Sequence, residues 1–170
     1  TLLATVFLTG FWILARFGGR EYVTRQIKKK LLGSDAKPLD TRFMGYGVED
    51  VKQYWGALDN ETRPYEIRSL KLDLFFPICY GAALIFSLSY LSQPRSIWFL
   101  LPAGLAVIAD WLENLVLLAQ FKLFVERGPA GLQSWWIRTA SMATSTKFFT
   151  LTVVAFLLLY LAVRFSVPSI

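Results

Sequence analysis

Four long apolar stretches, separated by polar segments of unequal length, dominate the chain: residues 1–15, 72–91, 97–119 and 148–163. A helix needs about 20 mostly apolar residues to cross a bilayer. The second and third stretches meet this outright. The first is short because the sequence starts inside it. It lacks the basic start and small-residue cleavage site of an intact signal peptide, so it is expected to be a crossing. The fourth reaches the length when Lys147 and Arg164 extend their charged heads to the two interfaces. The pattern predicts an all-α polytopic membrane protein, a single membrane domain over 1–170. Crossings are expected near 1–16, 72–91, 97–119 and 147–164, with a polar loop at 17–71. The runs are continuous rather than alternating, which argues against a membrane barrel.

Within the polar segments the periodicity changes. Arg20 to Leu32 reads as a basic helix, broken by Gly33-Ser34-Asp35 and Lys37-Pro38. Its Lys28, Lys29 and Lys30 are expected to lie against anionic phospholipid headgroups, each contributing on the order of 1 kcal/mol. Val48, Val51, Trp55 and Leu58 fall on one face of a short amphipathic helix. Asp59 or Asn60 can cap a following helix that tolerates Pro64 in its first turn and runs toward the second crossing. Residues 131–140 read as an interfacial helix anchored by Trp135 and Trp136, or equally as a protein-docking surface.

Charge then orients the segments. Eleven Lys and Arg lie between residues 18 and 71 and four more at Lys122, Arg127, Arg138 and Lys147, whereas the loop at 92–96 holds Arg95 alone. Basic loops stay on the cytoplasmic side. Loops one and three are therefore expected to face the cytoplasm, or the matrix or stroma of an organelle. The termini are expected on the outer side of a bacterial inner, organellar inner or thylakoid membrane. Trp98, Tyr90 and Tyr160 suit the outer interface.

The third stretch carries Asp110, Glu113 and Asn114 at i, i+3, i+4, on one helix face. At the same depth the other crossings bring Asp73, Lys147, Tyr80 and Thr150. Charges in hydrocarbon are costly unless paired, so these groups are expected to face one another. Lys147 is the natural partner of Glu113 or Asp73, Arg16 or Arg68 of the remaining acid, and Asp110 of Tyr80 or Thr150. The cluster can lock the helices together or serve as a functional site. Pro77 and Pro102 should kink a helix or end a first turn, and Gly81 and Gly104 should allow helices to approach closely.

Composition narrows the chemistry. The chain is 55% hydrophobic and 16% aromatic, with only 18% charged residues, no His and one Cys, Cys79. A water-soluble enzyme, a His-ligated haem, a zinc site and a His-dependent nucleophile are thereby excluded. No cofactor, no metal site and no catalytic residue is expected. The net charge of +6 is explained by membrane orientation, so no nucleic-acid partner is expected.

The segments GYGVEDVKQYWGALDNE, LDLFFPICYG, DWLENL and STKFF occur in that order. In this the chain resembles a poorly characterised family of small bacterial four-helix integral membrane proteins, over roughly residues 44–163. By position, Asp73, Asp110, Glu113, Asn114 and Lys147 match that family's polar positions. The resemblance implies no reaction, and the basic stretch at 18–43 departs from it. The expected role is an accessory or scaffold subunit of a larger integral-membrane complex, respiratory or photosynthetic, with other membrane subunits and anionic phospholipids as partners. The alternative is a lipid-binding or lipid-modifying membrane enzyme that uses the acidic cluster, with Mg²⁺ on the acids as one version.

Overall fold

A computed structural model of the protein describes Thr9, Trp12 and residues 19–31, 37–92 and 97–166. The expected first crossing, apart from Thr9 and Trp12, lies outside the described residues. Among the described residues all regular secondary structure is helical, without strands. Six α-helices carry the fold: α1 Arg20–Lys28, α2 Val48–Gly56, α3 Arg63–Leu72, α4 Phe76–Ser92, α5 Leu101–Arg127 and α6 Ser134–Ser166. Among the described residues three continuous stretches are long and apolar enough to cross a membrane: Arg63–Ser92, Ile97–Gly131 and Ser134–Arg164.

The long helices exceed what a bilayer needs. At 1.5 Å per residue, α5 with 27 residues and α6 with 33 run about 40 Å and 50 Å, against a hydrocarbon core of about 30 Å. The surplus is at one end, where it builds a helical cap with α1, α2 and α3. The cap core contains Val23, Ile27, Val51, Trp55, Leu58, Leu70, Leu117, Phe121, Phe124 and Ile137. Trp55 is fully buried, with its ring 5.0 Å from Phe121 and 5.7 Å from Phe124. Loops one and three therefore fold into one body. The interfacial helix expected at 131–140 is replaced by the first turns of α6, continuous with the last crossing. Burying Ile137 and Ala140 in the cap holds those turns in line with the rest of the helix.

Toward the other end, Leu88, Ala103, Val154 and Leu161 form a second, smaller core. Around it, Leu101, Leu105, Ile108, Leu112 and Leu115 make an exposed stripe along α5, and Phe149, Phe156, Leu159 and Val163 are exposed on α6. Large apolar side chains facing outward in this way suit a lipid-facing surface.

The sequence signals at the helix ends are mostly realised. Asp59 Oδ1 accepts from the Thr62 N–H at 2.9 Å and from the Thr62 hydroxyl at 2.7 Å, closing the turn into α3, with Pro64 in its first turn. Pro102 likewise stands in the first turn of α5. Gly45, at φ 84°, sits where an added Cβ would come within 2.4 Å of Ser141 Oγ, and the neighbouring Tyr46 N–H donates to that hydroxyl at 2.8 Å. This contact pins the 42–47 segment to α6.

The two helix glycines differ. A Cβ on Gly81 would meet Val107 Cγ2 at 2.4 Å, so α4 and α5 do approach closely there. Gly104 faces open space, and the close approach expected at it is absent. Gly81→Ala is expected to destabilise the bundle by about 1–3 kcal/mol through overpacking. Gly104→Ala is expected to be neutral or to stabilise by up to about 1 kcal/mol through helix propensity. Melting of the two variants in the same detergent checks this, and equal shifts would contradict the close approach.

Candidate functional site

Between the two cores lies a layer of buried charges. The break between α3 and α4 sets one side of it. Pro77 has no N–H, so the Asp73 carbonyl loses its helical partner. That carbonyl instead faces Asn114 Nδ2 at 3.3 Å. The Ile78 N–H bonds to the Phe75 carbonyl, which leaves the Leu74 carbonyl for the Trp111 indole N–H at 2.8 Å. Two carbonyls freed by a proline thus bind α4 to α5 and hold the Asp73 side chain at the edge of the layer.

Lys147 is central to the layer. Its side chain is 8% exposed, and its Nζ lies 2.7 Å from Glu113 Oε2 and 3.1 Å from Asp110 Oδ1. Glu113, fully buried, also accepts from the Thr144 hydroxyl at 2.6 Å. Asp110 accepts from Tyr80 Oη at 3.0 Å and from Asn114 Nδ2 at 3.0 Å. The i, i+3, i+4 spacing therefore does what it implies, bringing Asp110, Glu113 and Asn114 together against α6.

Other expected partners differ. Lys147 pairs with Glu113 and Asp110, not with Asp73. Asp73 Oδ2 instead lies 3.4 Å from Arg20 Nη1, and Arg20 also forms a two-oxygen ion pair with Asp40. Arg68, proposed as a partner for the second acid, is exposed on α3; Arg16 lies outside the described residues. Thr150 donates to the Thr146 and Lys147 carbonyls, not to Asp110. A helix offers a hydroxyl those carbonyls at short range, whereas Tyr80 reaches across from α4.

Arg20 and Asp40 are the residues the sequence pattern missed. Arg20 is one of eleven cations in a basic segment. Asp40 sits on a short turn, Leu39–Thr41, with no spacing relation to the other acids. Burial by itself pushes the Asp40 carboxyl up, and the Arg20 charge and hydrogen bonds more than reverse that. Asp40 therefore titrates below the ordinary carboxylate range.

Beside this layer lies a cavity of about 900 Å³. Its polar surface comes from Arg20, Asp40, Asp73, Asp110, Asn114 and Lys147. Its apolar wall comes from Phe76, Ala83, Leu84, Phe148 and Leu151 on α4 and α6. One face of α1 supplies Thr24, Arg25 and Lys28, while its opposite face buries Val23 and Ile27 in the cap. The basic helix is thus half core and half cavity lining.

Of the other expected surface contacts, Lys29 is exposed. Lys30 is exposed too but turned to the cap, donating to the Ala57 carbonyl at 2.8 Å and lying 3.3 Å from Asp59. Trp135 and Trp136 are exposed on the first turn of α6, 65% and 38%, their rings in tilted contact with each other and away from the site. Among the described residues no group of three or more Asp, Glu or Cys is placed to hold a metal ion. Comparison with family models, with curated proteins and with solved structures finds no match.

Proposed function

We propose that this chain is a membrane protein that binds one lipid-like amphiphile in the cavity between α1, α4 and α6. The tail lies on the Ala83, Leu84 and Leu151 wall, and the polar end meets the charged layer of Asp73, Asp110, Asn114 and Lys147. The observation that carries this is the continuity of the two surfaces in one cavity of about 900 Å³. Ligand sites are mostly apolar with a few convergent polar groups, and this one has that division. Its polar end stands at the junction of the cap and the apolar bundle, the level at which a lipid changes from chain to headgroup. The Lys and Arg bias supports placing the cap on the cytoplasmic, matrix or stromal side, so the ligand enters from that leaflet. The exposed Lys29 and the mouth residues Arg25 and Lys28 suit the anionic lipids of that surface.

The accessory-subunit expectation rests on sequence features alone, and a scaffold has no need of a cavity. One purification separates the two. In mild detergent, native mass spectrometry should find the chain carrying one lipid-mass adduct. Leu84→Trp, which puts an indole into the cavity, should lower that occupancy at least about tenfold while the fold still melts cooperatively. Undiminished occupancy would sink the proposal. Stoichiometric membrane partners with an empty cavity would favour the accessory role.

A further inference from the structure

The charged layer has an excess of acceptors. Among the described residues four carboxyls meet there, those of Asp40, Asp73, Asp110 and Glu113, against two cations, Arg20 and Lys147. Glu66 adds a further buried carboxyl two turns before Asp73 on α3. The acids are not equally served. Asp110 and Glu113 each have Lys147 and a hydroxyl, and Asp40 holds Arg20 through both oxygens. Among the described residues Asp73 is left with a single long contact to Arg20 at 3.4 Å, and it lines the cavity.

A second observation points the same way. Asn114 is 1% exposed and lines the cavity, and its Oδ1 is buried with no hydrogen-bond donor. Its orientation is fixed, because Nδ2 donates to the Asp110 carboxylate and to the Asp73 carbonyl. Flipping the amide would set an oxygen against two acceptors. A buried acceptor left unmatched is costly, so such a group on a residue that lines a cavity points to a ligand donor there. Asp73 and Asn114, two residues that line the same cavity, thus each carry an underserved acceptor. A phosphate brought to them would add negative charge to an already acidic layer. The cations free to meet a phosphate are at the mouth, where Lys28 faces the cavity and Arg25 has only an exposed pair with Glu21.

We infer that the amphiphile carries a primary ammonium group, which enters the layer and donates to Asp73 and Asn114 Oδ1, with any phosphate of the same molecule left at the Thr24, Arg25 and Lys28 mouth. An ammonium brings three donors and a positive charge to these acceptors. The inference rests on the amphiphile reading above. A lipid headgroup and a simple long-chain amine share this chemistry.

Delipidated full-length chain in a neutral detergent tests it, titrated with dodecylammonium, dodecanol and dodecyl phosphate. Dodecylammonium should bind at least about tenfold tighter than either of the others. Asp73→Asn should erase that preference, because Asp40 still holds Arg20 and the pair that orients α1 survives. Vesicles doped with phosphatidylethanolamine should compete with dodecylammonium if the source is a lipid, and fail to compete if it is a simple amine. Either result keeps the ammonium assignment. Equal binding of the three headgroups, or tighter binding of the phosphate, overturns the inference and leaves the amphiphile reading standing. Binding of none of the three sinks both. Tailless ethanolamine binding as tightly as dodecylammonium also overturns it. The comparison of headgroups on the unaltered chain decides the matter even if Asp73→Asn does not fold.

Discussion

Lys147→Met is expected to destabilise the protein by about 3–5 kcal/mol, the scale of breaking a buried ion pair by removing one partner. The side chain is 8% exposed and faces both Glu113 and Asp110, so its loss leaves two buried carboxyls without their cation. Methionine fills much of the same volume, so the loss is electrostatic rather than a cavity effect. Lys29→Met, at an exposed position on the same chain, should stay within about 0.5 kcal/mol of the parent. The measurement is the melting of both variants in one detergent. Adding Glu113→Gln to Lys147→Met should recover part of the loss, because the amide removes one stranded charge and can still accept from Thr144. Equal shifts for Lys147→Met and Lys29→Met, or a double variant no better than the single, would remove the ion network as a source of stability.

The other large effect is expected at Arg20, the residue that fastens the cap to the bundle. Arg20→Gln loses a charged pair to Asp40 and the contact to Asp73, at a cost of about 1.5–3 kcal/mol near neutral pH. The groups around Asp40 set the pH dependence: Arg20, with Lys147 Nζ 3.5 Å from the Asp40 carbonyl, and Glu66 and Asp73 as neighbouring acids. The Asp40 carboxyl titrates below its ordinary value of 3.8 in the folded protein. Such a group contributes stability above its unfolded pKa, and that contribution is lost as pH falls through the folded value. The gap between parent and Arg20→Gln should therefore be full near pH 7 and shrink as pH drops below about 3.8. Denaturant or thermal melting of both proteins across that range reads it out. A gap that stays constant into the acid range would show that the pair contributes nothing through Asp40.

Membrane character, the all-helical class and the polar face of the third apolar stretch were all legible in the residues. Transfer of apolar side chains and spacing along a helix act locally, so sequence is enough for them. Asp110, Glu113 and Asn114 share a face because 3.6 residues make a turn, whatever surrounds them. Lys147 could be matched to an acid because an unpaired ammonium at that depth is too costly. Which acids it meets was not legible. The residues offered it Glu113 or Asp73 and matched Asp110 to Tyr80 or Thr150; in the fold Lys147 meets Glu113 and Asp110, and Asp73 meets Arg20. The first turns of α6 show the same limit. Residues 134–140 have the composition of a surface helix, and only the cap core at Ile137 and Ala140 extends them from the last crossing.

The sequence by itself determined that these side chains had to be buried in apolar surroundings and that buried charges had to find one another. The tertiary structure alone decided the rest: that α1 folds back to bring Arg20 and Asp40 into the layer, that Gly81 and not Gly104 is a contact point, and that the helices leave a cavity beside the charges. The reason is physical. Burial and periodicity are properties of each segment, whereas an ion pair across 53 residues, as between Arg20 and Asp73, depends on loop closure and packing that no local pattern encodes.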